Sequence, residues 1–187
     1  MLKTFPAVIA TLMLITTLSA EGSATAFDRK DFQVAKDVAT AVNRYSQFTI
    51  FDDISGNVRD GVVTLTGKVT MPYKRDDIEK RVAKIDGVKA VHDEISVLPV
   101  SQFDDELRSG IARSIYGNAN FWTYAAMPNP PIHIVVEHGR VTLTGVVGSD
   151  VDRMLARSLA TQFGAFSVTN ALKTDAEVRD AIAAQSE

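Results

Sequence analysis

Residues 61–69 read Gly-Val-Val-Thr-Leu-Thr-Gly-Lys-Val, and 78 positions later residues 139–147 read Gly-Arg-Val-Thr-Leu-Thr-Gly-Val-Val. In both stretches apolar and polar residues alternate, which is the period of a strand that buries one face. Asp60-Gly61 is typical of a tight hairpin turn, because glycine takes a positive φ at little steric cost. Each stretch therefore predicts the second strand of a β-hairpin, with Leu65 and Leu143 as equivalent core residues.

The sequence on both sides of these stretches is repeated in the same order. Upstream, apolar residues at helical spacing in residues 34–42 correspond to a second set in residues 107–115. Downstream, Gly87 and the apolar residues after it correspond to Gly164 and the residues that follow it, at an offset of 77. A period this long exceeds that of solenoid repeats, so the chain is predicted to contain two tandem domains.

Each unit is predicted to run helix, strand, strand, helix, strand. The third strand follows a helix and can pair in parallel with the second, whereas the two hairpin strands pair antiparallel. The predicted class is α+β: two tandem α-β-β-α-β domains, each a small mixed three-stranded sheet with two helices on one face. The domains are placed at residues 31–99 and 103–174, followed by a C-terminal helical tail at 175–187.

Single residues predict where the helices begin, end and pack. Asp31 is placed to cap the first helix, and Gly87 is placed to end the second helix as its C-cap. In the second unit the corresponding helix is expected to begin near Asp150. Its predicted buried residues are Val151, Met154, Leu155 and Leu159.

The N-terminal segment, residues 1–26, has the three parts of a secretory signal. Lys3 is followed by an apolar run at 5–18 and by small residues, with an A-x-A pattern at 24–26 and a second possible cleavage position after Ala20. The alternative is a membrane anchor, but the run has only about 14 residues, whereas a spanning helix needs about 20. The sequence thus predicts a periplasmic protein with no transmembrane segment in the mature chain.

Composition excludes several classes of function. Of the 187 residues, 45% are hydrophobic and 23% are charged, as in ordinary globular proteins. The formal net charge of −3 argues against nucleic-acid binding, which needs a basic surface to neutralise phosphates. The absence of cysteine excludes disulfides, thiolate metal sites, a cysteine nucleophile and a lipid-modified N-terminal cysteine.

The repeated G-x-V-T-L-T-G-x-V hairpin, the amphipathic helix after it and the Gly-then-Val third strand resemble the BON domain (bacterial osmotically inducible and nodulation domain). The resemblance covers residues 32 to about 174. A signal followed by two such domains is similar to osmotically inducible periplasmic proteins and to dual-domain outer-membrane lipoproteins. It implies a non-catalytic binding module for anionic phospholipid headgroups or envelope proteins, with a role in osmotic or envelope stress. A structural or chaperone-like stress-protective protein without a defined ligand site is the alternative.

The residues themselves predict no catalytic, metal or cofactor site. Adjacent residues of a strand point to opposite faces, so Asp52 and Asp53 are not expected to act on one substrate. The clusters Asp76-Asp77 and Asp104-Asp105-Glu106 are assigned to helix starts, where the helix dipole favours carboxylates. The three histidines are interpreted as surface residues.

The second unit carries five extra residues between its first helix and first strand, within residues 117–131. This loop is rich in aromatic and apolar residues, whereas most loops are polar. One interpretation is that Trp122 covers the end of the hydrophobic core or seals the contact between the domains. The other is an anchor for a partner or a membrane interface, where amphipathic rings are favoured. The candidate binding residues are Phe121, Trp122, Tyr124 and Met127.

The second helix of the first unit also has a basic face. A cationic face favours an anionic lipid surface, although a solvated helix face is the commoner meaning of such a run. The residues concerned are Lys74, Arg75, Lys80, Arg81 and Lys84.

Overall fold

The computed structural model describes residues 24–184, so residues 1–23 of the predicted export signal and residues 185–187 of the predicted C-terminal tail lie outside the described part of the chain. The first domain contains α1 (Ala24–Asn43), β1 (Asp53–Arg59), β2 (Val62–Val69), α2 (Pro72–Val82) and β3 (Ala90–Val97). The second contains α3 (Gln102–Tyr116), α4 (Trp122–Ala125), β4 (Ile132–Glu137), β5 (Arg140–Val147), α5 (Asp150–Ala160), β6 (Ser167–Asn170) and β7 (Lys173–Thr174), and α6 (Asp175–Ala184) follows. The predicted α+β class and the order of elements are confirmed.

Both sheets are mixed, with the repeated stretch as the middle strand. In domain 1, β2 pairs antiparallel with β1 and parallel with β3. In domain 2, β5 pairs antiparallel with β4 and parallel with β6. The third strand of domain 2 is interrupted after Asn170, and its continuation β7 also pairs with β5. The sheet of domain 2 therefore has four strands, whereas the sequence predicts three.

Both hairpins close in the predicted way. Asp60 and Gly61 have φ values of 57° and 77°, and His138 and Gly139 have φ values of 51° and 71°. Two successive residues with positive φ form the turn whose twist matches that of paired strands. The non-glycine residue of each turn thus adopts a conformation that is uncommon for residues with a side chain.

Each domain has its own hydrophobic core between its sheet and helices. Leu65 and Leu143 are both fully buried on the middle strands, which confirms the predicted phase of these strands. The core of domain 1 includes Val34, Val38, Val42, Val63, Val69, Ile78, Val82 and Ile95. The core of domain 2 includes Leu107, Ile111, Ile115, Phe121, Ile132, Ile134, Val141 and Leu172.

Two predicted helix ends are wrong. Asp31 lies inside α1, where its carboxylate accepts hydrogen bonds from the amides of Asp60 (2.7 Å) and Gly61 (3.0 Å). The helix α2 ends at Val82, and Gly87 lies in the turn before β3 with a φ of 87°. Both residue types are common at helix ends, but Asp31 instead bonds the hairpin turn, and Gly87 lies in the turn five residues after α2.

The start of α5 agrees with the prediction, and its buried face agrees in part. The helix begins at Asp150, and the hydroxyl of Ser149 accepts a hydrogen bond from the amide of Asp152 (3.2 Å). Leu155 and Leu159 pack against the core of domain 2 as predicted. Val151 and Met154 are instead exposed, and Ala156 and Ala160 are fully buried. The alanines allow the helix to approach the rest of the domain closely, and Val151 and Met154 lie on its solvent side.

Candidate binding surface

The aromatic loop of domain 2 is anchored by a buried ring. Phe121 ends a short 3-10 helix at Ala119–Phe121 and is fully buried in the core of domain 2. Its ring stacks on that of Tyr124, with centroids 5.8 Å apart. The side chain of Asn118 accepts a hydrogen bond from the amide of Asn120 (3.0 Å), which fixes the start of the turn. Phe121 is therefore a core residue that holds the loop in place.

Tyr124 ties the same loop to the beginning of α5. Its hydroxyl accepts a hydrogen bond from the amide of Gly148 (2.8 Å), two residues before the helix. In domain 1 the corresponding amide, that of Thr70, donates instead to the carboxylate of Asp52 (2.8 Å). The tyrosine thus performs in domain 2 the bonding that a carboxylate performs in domain 1.

Trp122 and Met127 are the outward-facing members of the predicted set, with 68% and 45% of their surfaces exposed. Trp122 is therefore mostly exposed and is not part of the core of domain 2. The far end of the loop does reach domain 1, since the side-chain amide of Asn129 donates to the carbonyl oxygen of Asn43 (2.7 Å). The structure separates two supporting residues, Phe121 and Tyr124, from two accessible ones, whose binding role stays a prediction.

A second group of exposed rings lies at the hairpin end of domain 2 and is not predicted from the sequence. Phe103 at the start of α3 and Phe166 before β6 have ring centroids 6.1 Å apart and are 47% and 76% exposed. Both rings lie over Gly139 in the hairpin turn. Phe163 lies against Gly110, two turns further along α3. We refer to Phe103, Phe163 and Phe166 as the hairpin-end aromatic group.

Domain 1 has lysines where domain 2 has this aromatic pair. The amide of Phe166 donates to the carbonyl oxygen of Gly139 (2.8 Å), and the amide of Lys89 donates to that of Gly61 over the same distance. Phe103 precedes Asp104, as Lys30 precedes Asp31. Both lysines are exposed. An alignment of the two repeats would reveal this aromatic pair, because an apolar pair in one copy replaces a charged pair in the other.

The predicted basic face of α2 is smaller than the sequence suggests. Lys74 is buried, with its ammonium group 2.7 Å from the carboxylate of Asp52. Arg75 pairs with Asp76 and Asp93, and the guanidinium group of Arg81 lies 4.7 Å from the centre of the Tyr45 ring. Lys80, Arg81 and Lys84 of this run remain exposed.

The carboxylate clusters have structural roles, and one of them is not at a helix start. Because α2 begins at Pro72, Asp76 and Asp77 lie in its second turn. Asp77 accepts a hydrogen bond from the hydroxyl of Tyr45 (2.8 Å). Burial, together with this bond, raises the pKa of Tyr45 to about 12, so its hydroxyl remains a donor at neutral pH.

Asp52 is fully buried and accepts five hydrogen bonds. The donors are the ammonium group of Lys74 and the amide and hydroxyl groups of Thr49 and Thr70, all within 2.9 Å. Burial alone would raise the pKa of this carboxyl group, but the bonds from Lys74, Thr70 and Thr49 outweigh burial and lower the pKa. Asp52 is therefore ionised at neutral pH, and its carboxylate has a structural role as the acceptor of these five hydrogen bonds.

Within residues 24–184, no group of three or more His, Asp or Glu side chains is arranged to hold a metal ion. No helix in this part of the chain is both long and apolar enough to cross a bilayer.

Comparison with known proteins agrees with the repeated architecture. The family model described as the BON domain matches residues 30–99 and 104–184. No curated protein matches the chain. The C-terminal domain of CdsD, a structural protein of the type III secretion system of Chlamydia trachomatis, is similar with a TM-score of 0.31 and 11% identity, over 77% of this chain and 66% of that one. A second CdsD structure from the same organism gives 0.27 and 14%, over 78% and 97%.

Proposed function

The chain belongs to the BON domain family and contains two copies of the domain, and from this premise we propose that domain 2 binds the surface of a phospholipid membrane. The family consists of non-catalytic binding domains associated with membrane phospholipids. The hairpin-end aromatic group makes the contact with lipid. The protein acts in the periplasm, after removal of residues 1–26, where envelope membranes are the available lipid surfaces.

The exposed Phe103–Phe166 pair is the observation that carries the proposal. Two large rings held side by side over a hairpin turn are costly to leave in water, and contiguous exposed apolar surface marks an interaction site. A fully exposed phenylalanine ring gains about 2 kcal/mol when it is removed from water, so Phe103 and Phe166, which are 47% and 76% exposed, gain about half and about three quarters of this. Together the two rings supply an apolar contribution that is large enough for reversible binding to a membrane surface.

Charges of both signs surround the pair: Asp104, Asp105 and Glu106 follow Phe103 in the chain, and an exposed cation adjoins the hairpin turn. Arg140 is exposed, adjoins Gly139 in the turn and pairs in register with Ser167, the neighbour of Phe166. On the other side of the pair, Asp105 forms an ion pair with Arg108, which offsets its charge. A cation beside an apolar anchor combines electrostatic attraction to anionic headgroups with burial of the rings.

Sedimentation with lipid vesicles tests this function. The purified protein is mixed with vesicles of phosphatidylcholine alone and of phosphatidylcholine with phosphatidylglycerol, and the bound fraction is measured. We expect binding to the mixed vesicles, and a loss of about tenfold or more in affinity when both rings are removed in the Phe103→Ser/Phe166→Ser variant. The matched control is Lys30→Ser/Lys89→Ser, which changes the equivalent pair of domain 1 and is expected to retain most of the binding.

A separate variant, Trp122→Ser/Met127→Ser, tests the aromatic loop. If this variant loses binding and the Phe103/Phe166 variant retains it, the membrane contact belongs to the loop. If the unmodified protein binds neither kind of vesicle, the lipid proposal is wrong and a structural or chaperone-like role in the envelope replaces it.

A further inference from the structure

A short segment of domain 1, residues 48–52, lies against domain 2, and we refer to it as the strap. It connects α1 to β1. Phe48 packs against the core of domain 1, and its ring centroid lies 5.2 Å from that of His133 in β4. Ile50 and Phe51 pack instead against the core of domain 2. The strap therefore contributes apolar side chains to both cores.

The backbone of the strap is also bonded to domain 2. The amide of Ile134 in β4 donates a hydrogen bond to the carbonyl oxygen of Ile50 (2.7 Å). The Nδ1 atom of His133 lies 2.6 Å from the carbonyl oxygen of Asp52. Two carbonyl groups of the strap thus meet two successive residues of β4, which fixes the strap along the edge of the second sheet.

The position of the strap depends on the side chain of its last residue. Asp52 is held in domain 1 by the buried ammonium group of Lys74 and by Thr70, and its carboxylate also bonds Thr49 within the strap. We propose that the Asp52–Lys74 ion pair is a lock that holds the strap against β4 and thereby fixes domain 2 on domain 1. Breaking the pair then releases the two domains from each other while each keeps its own fold.

The repeat itself supports a role beyond the folding of one domain. In domain 2 the positions that correspond to Asp52 and Lys74 hold Pro130 and Asp152, so the second copy of the fold forms without such a pair. Domain 2 satisfies the corresponding amide with Tyr124. This fold can therefore form without the buried ion pair. The pair is present in domain 1, whose strap contacts domain 2.

The other polar contacts between the domains are weaker anchors. Lys68 and Glu137 form an ion pair, but each side chain is about one-third exposed, and exposed ion pairs contribute little. The bond from Asn129 to Asn43 is also exposed. The strap carries the buried part of the contact, and removing one member of a buried ion pair leaves an uncompensated charge.

Amide hydrogen exchange, resolved residue by residue in the full chain, tests the lock. The amide of Ile134 reports on the contact with the strap, while the amides of Leu65 and Leu143 report on the middle strands of domains 1 and 2. In Lys74→Met we expect exchange at Ile134 to accelerate by about tenfold or more relative to Leu143. Lys68→Gln is the control, since it breaks the exposed interdomain pair and is expected to leave the exchange at Ile134 unchanged.

A second variant covers the outcome in which Lys74→Met unfolds domain 1. Ile50→Ser/Phe51→Ser weakens the strap from the side of domain 2 and leaves Asp52 and Lys74 intact. It is expected to accelerate exchange at Ile134 while Leu65 stays protected. The proposal is overturned if Ile134 stays protected in a folded Lys74→Met protein. It is equally overturned if Ile134, Leu65 and Leu143 always accelerate together, because the pair then stabilises the whole chain and not the contact.

Discussion

Asp104 performs in domain 2 the same function that Asp31 performs in domain 1: each carboxylate holds the hairpin turn of its own sheet through two backbone amides. Asp104 accepts from His138 (2.9 Å) and Gly139 (2.7 Å). Asp104 is fully buried, whereas the bonds of Asp31 lie nearer the surface. The first helix of each domain is thereby bonded to the turn at the end of its sheet.

This relationship predicts unequal costs for two matched substitutions. Asp104→Ala is expected to lower the free energy of unfolding by about 1–3 kcal/mol, because it leaves the buried amide of Gly139 without an acceptor. Asp31→Ala is expected to cost less, since water can replace the lost acceptor. Urea unfolding followed by circular dichroism measures both. Equal costs for the two variants would contradict the assigned difference in burial.

The two middle-strand leucines provide a test of the repeat. Leu65→Ala and Leu143→Ala each remove a fully buried side chain and are each expected to cost about 2–5 kcal/mol. Thermal and urea unfolding give the values. A loss below about 0.5 kcal/mol at either position would mean that the position is exposed and that the strand phase is wrong.

Phe121 and Trp122 are neighbours with opposite expected effects. Phe121→Ala empties a fully buried site in the core of domain 2 and is expected to cost about 3–5 kcal/mol. Trp122→Ala changes an exposed side chain and is expected to shift the free energy of unfolding by no more than about 0.5 kcal/mol. Circular dichroism during urea unfolding distinguishes the two. A large loss in Trp122→Ala would mean that its ring is structural.

Asp52 predicts that the protein becomes less stable in acid. The pKa of its carboxyl group is lower in the folded protein than in the unfolded chain, despite the opposing effect of burial. The unfolded chain therefore binds the proton more readily, and the stabilisation from Asp52 is fully present above the unfolded pKa of about 4. It is lost as the pH falls through the lower folded pKa.

The measurement for this prediction is the free energy of unfolding as a function of pH in the unmodified protein and in Asp52→Asn. The unmodified protein is expected to lose stability below about pH 5 more steeply than the variant, which has no carboxyl group to titrate at this position. Parallel curves for the two proteins would show that other carboxyl groups dominate the acid response.

The architecture could be predicted from the sequence because local and long-range signals agree in both repeats. The alternation around Leu65 and Leu143, the turn pairs and the helical spacing are each visible within about ten residues of the chain. The errors occur where a distant partner decides. Asp31 has the residue type of a helix cap, but in the folded chain its carboxylate bonds the amide of Asp60 in the hairpin turn. The burial of Lys74 depends on Asp52, which is 22 positions away.

The candidate surface was less predictable for the same reason. The aromatic loop is contiguous and can therefore be recognised from the sequence. Which of its rings face outward depends on packing against the core, which the sequence does not show. The hairpin-end aromatic group combines residues that are 63 positions apart, Phe103 and Phe166. Only the parallel pairing of β6 with β5 and the bond from Phe166 to Gly139 bring these two rings together.

The strap also has a consequence for aggregation. The strand β4 reads Ile-His-Ile-Val-Val-Glu, a short run of high β-propensity and low charge, and it is the edge strand of its sheet. Uncovered edges of this kind recruit strands from other molecules and seed insoluble assemblies. The amide of Ile134 donates a hydrogen bond to the carbonyl oxygen of Ile50. Because this amide of the edge strand is already bonded, the first domain protects the second from self-association. A fragment that begins after residue 99 would lose this protection.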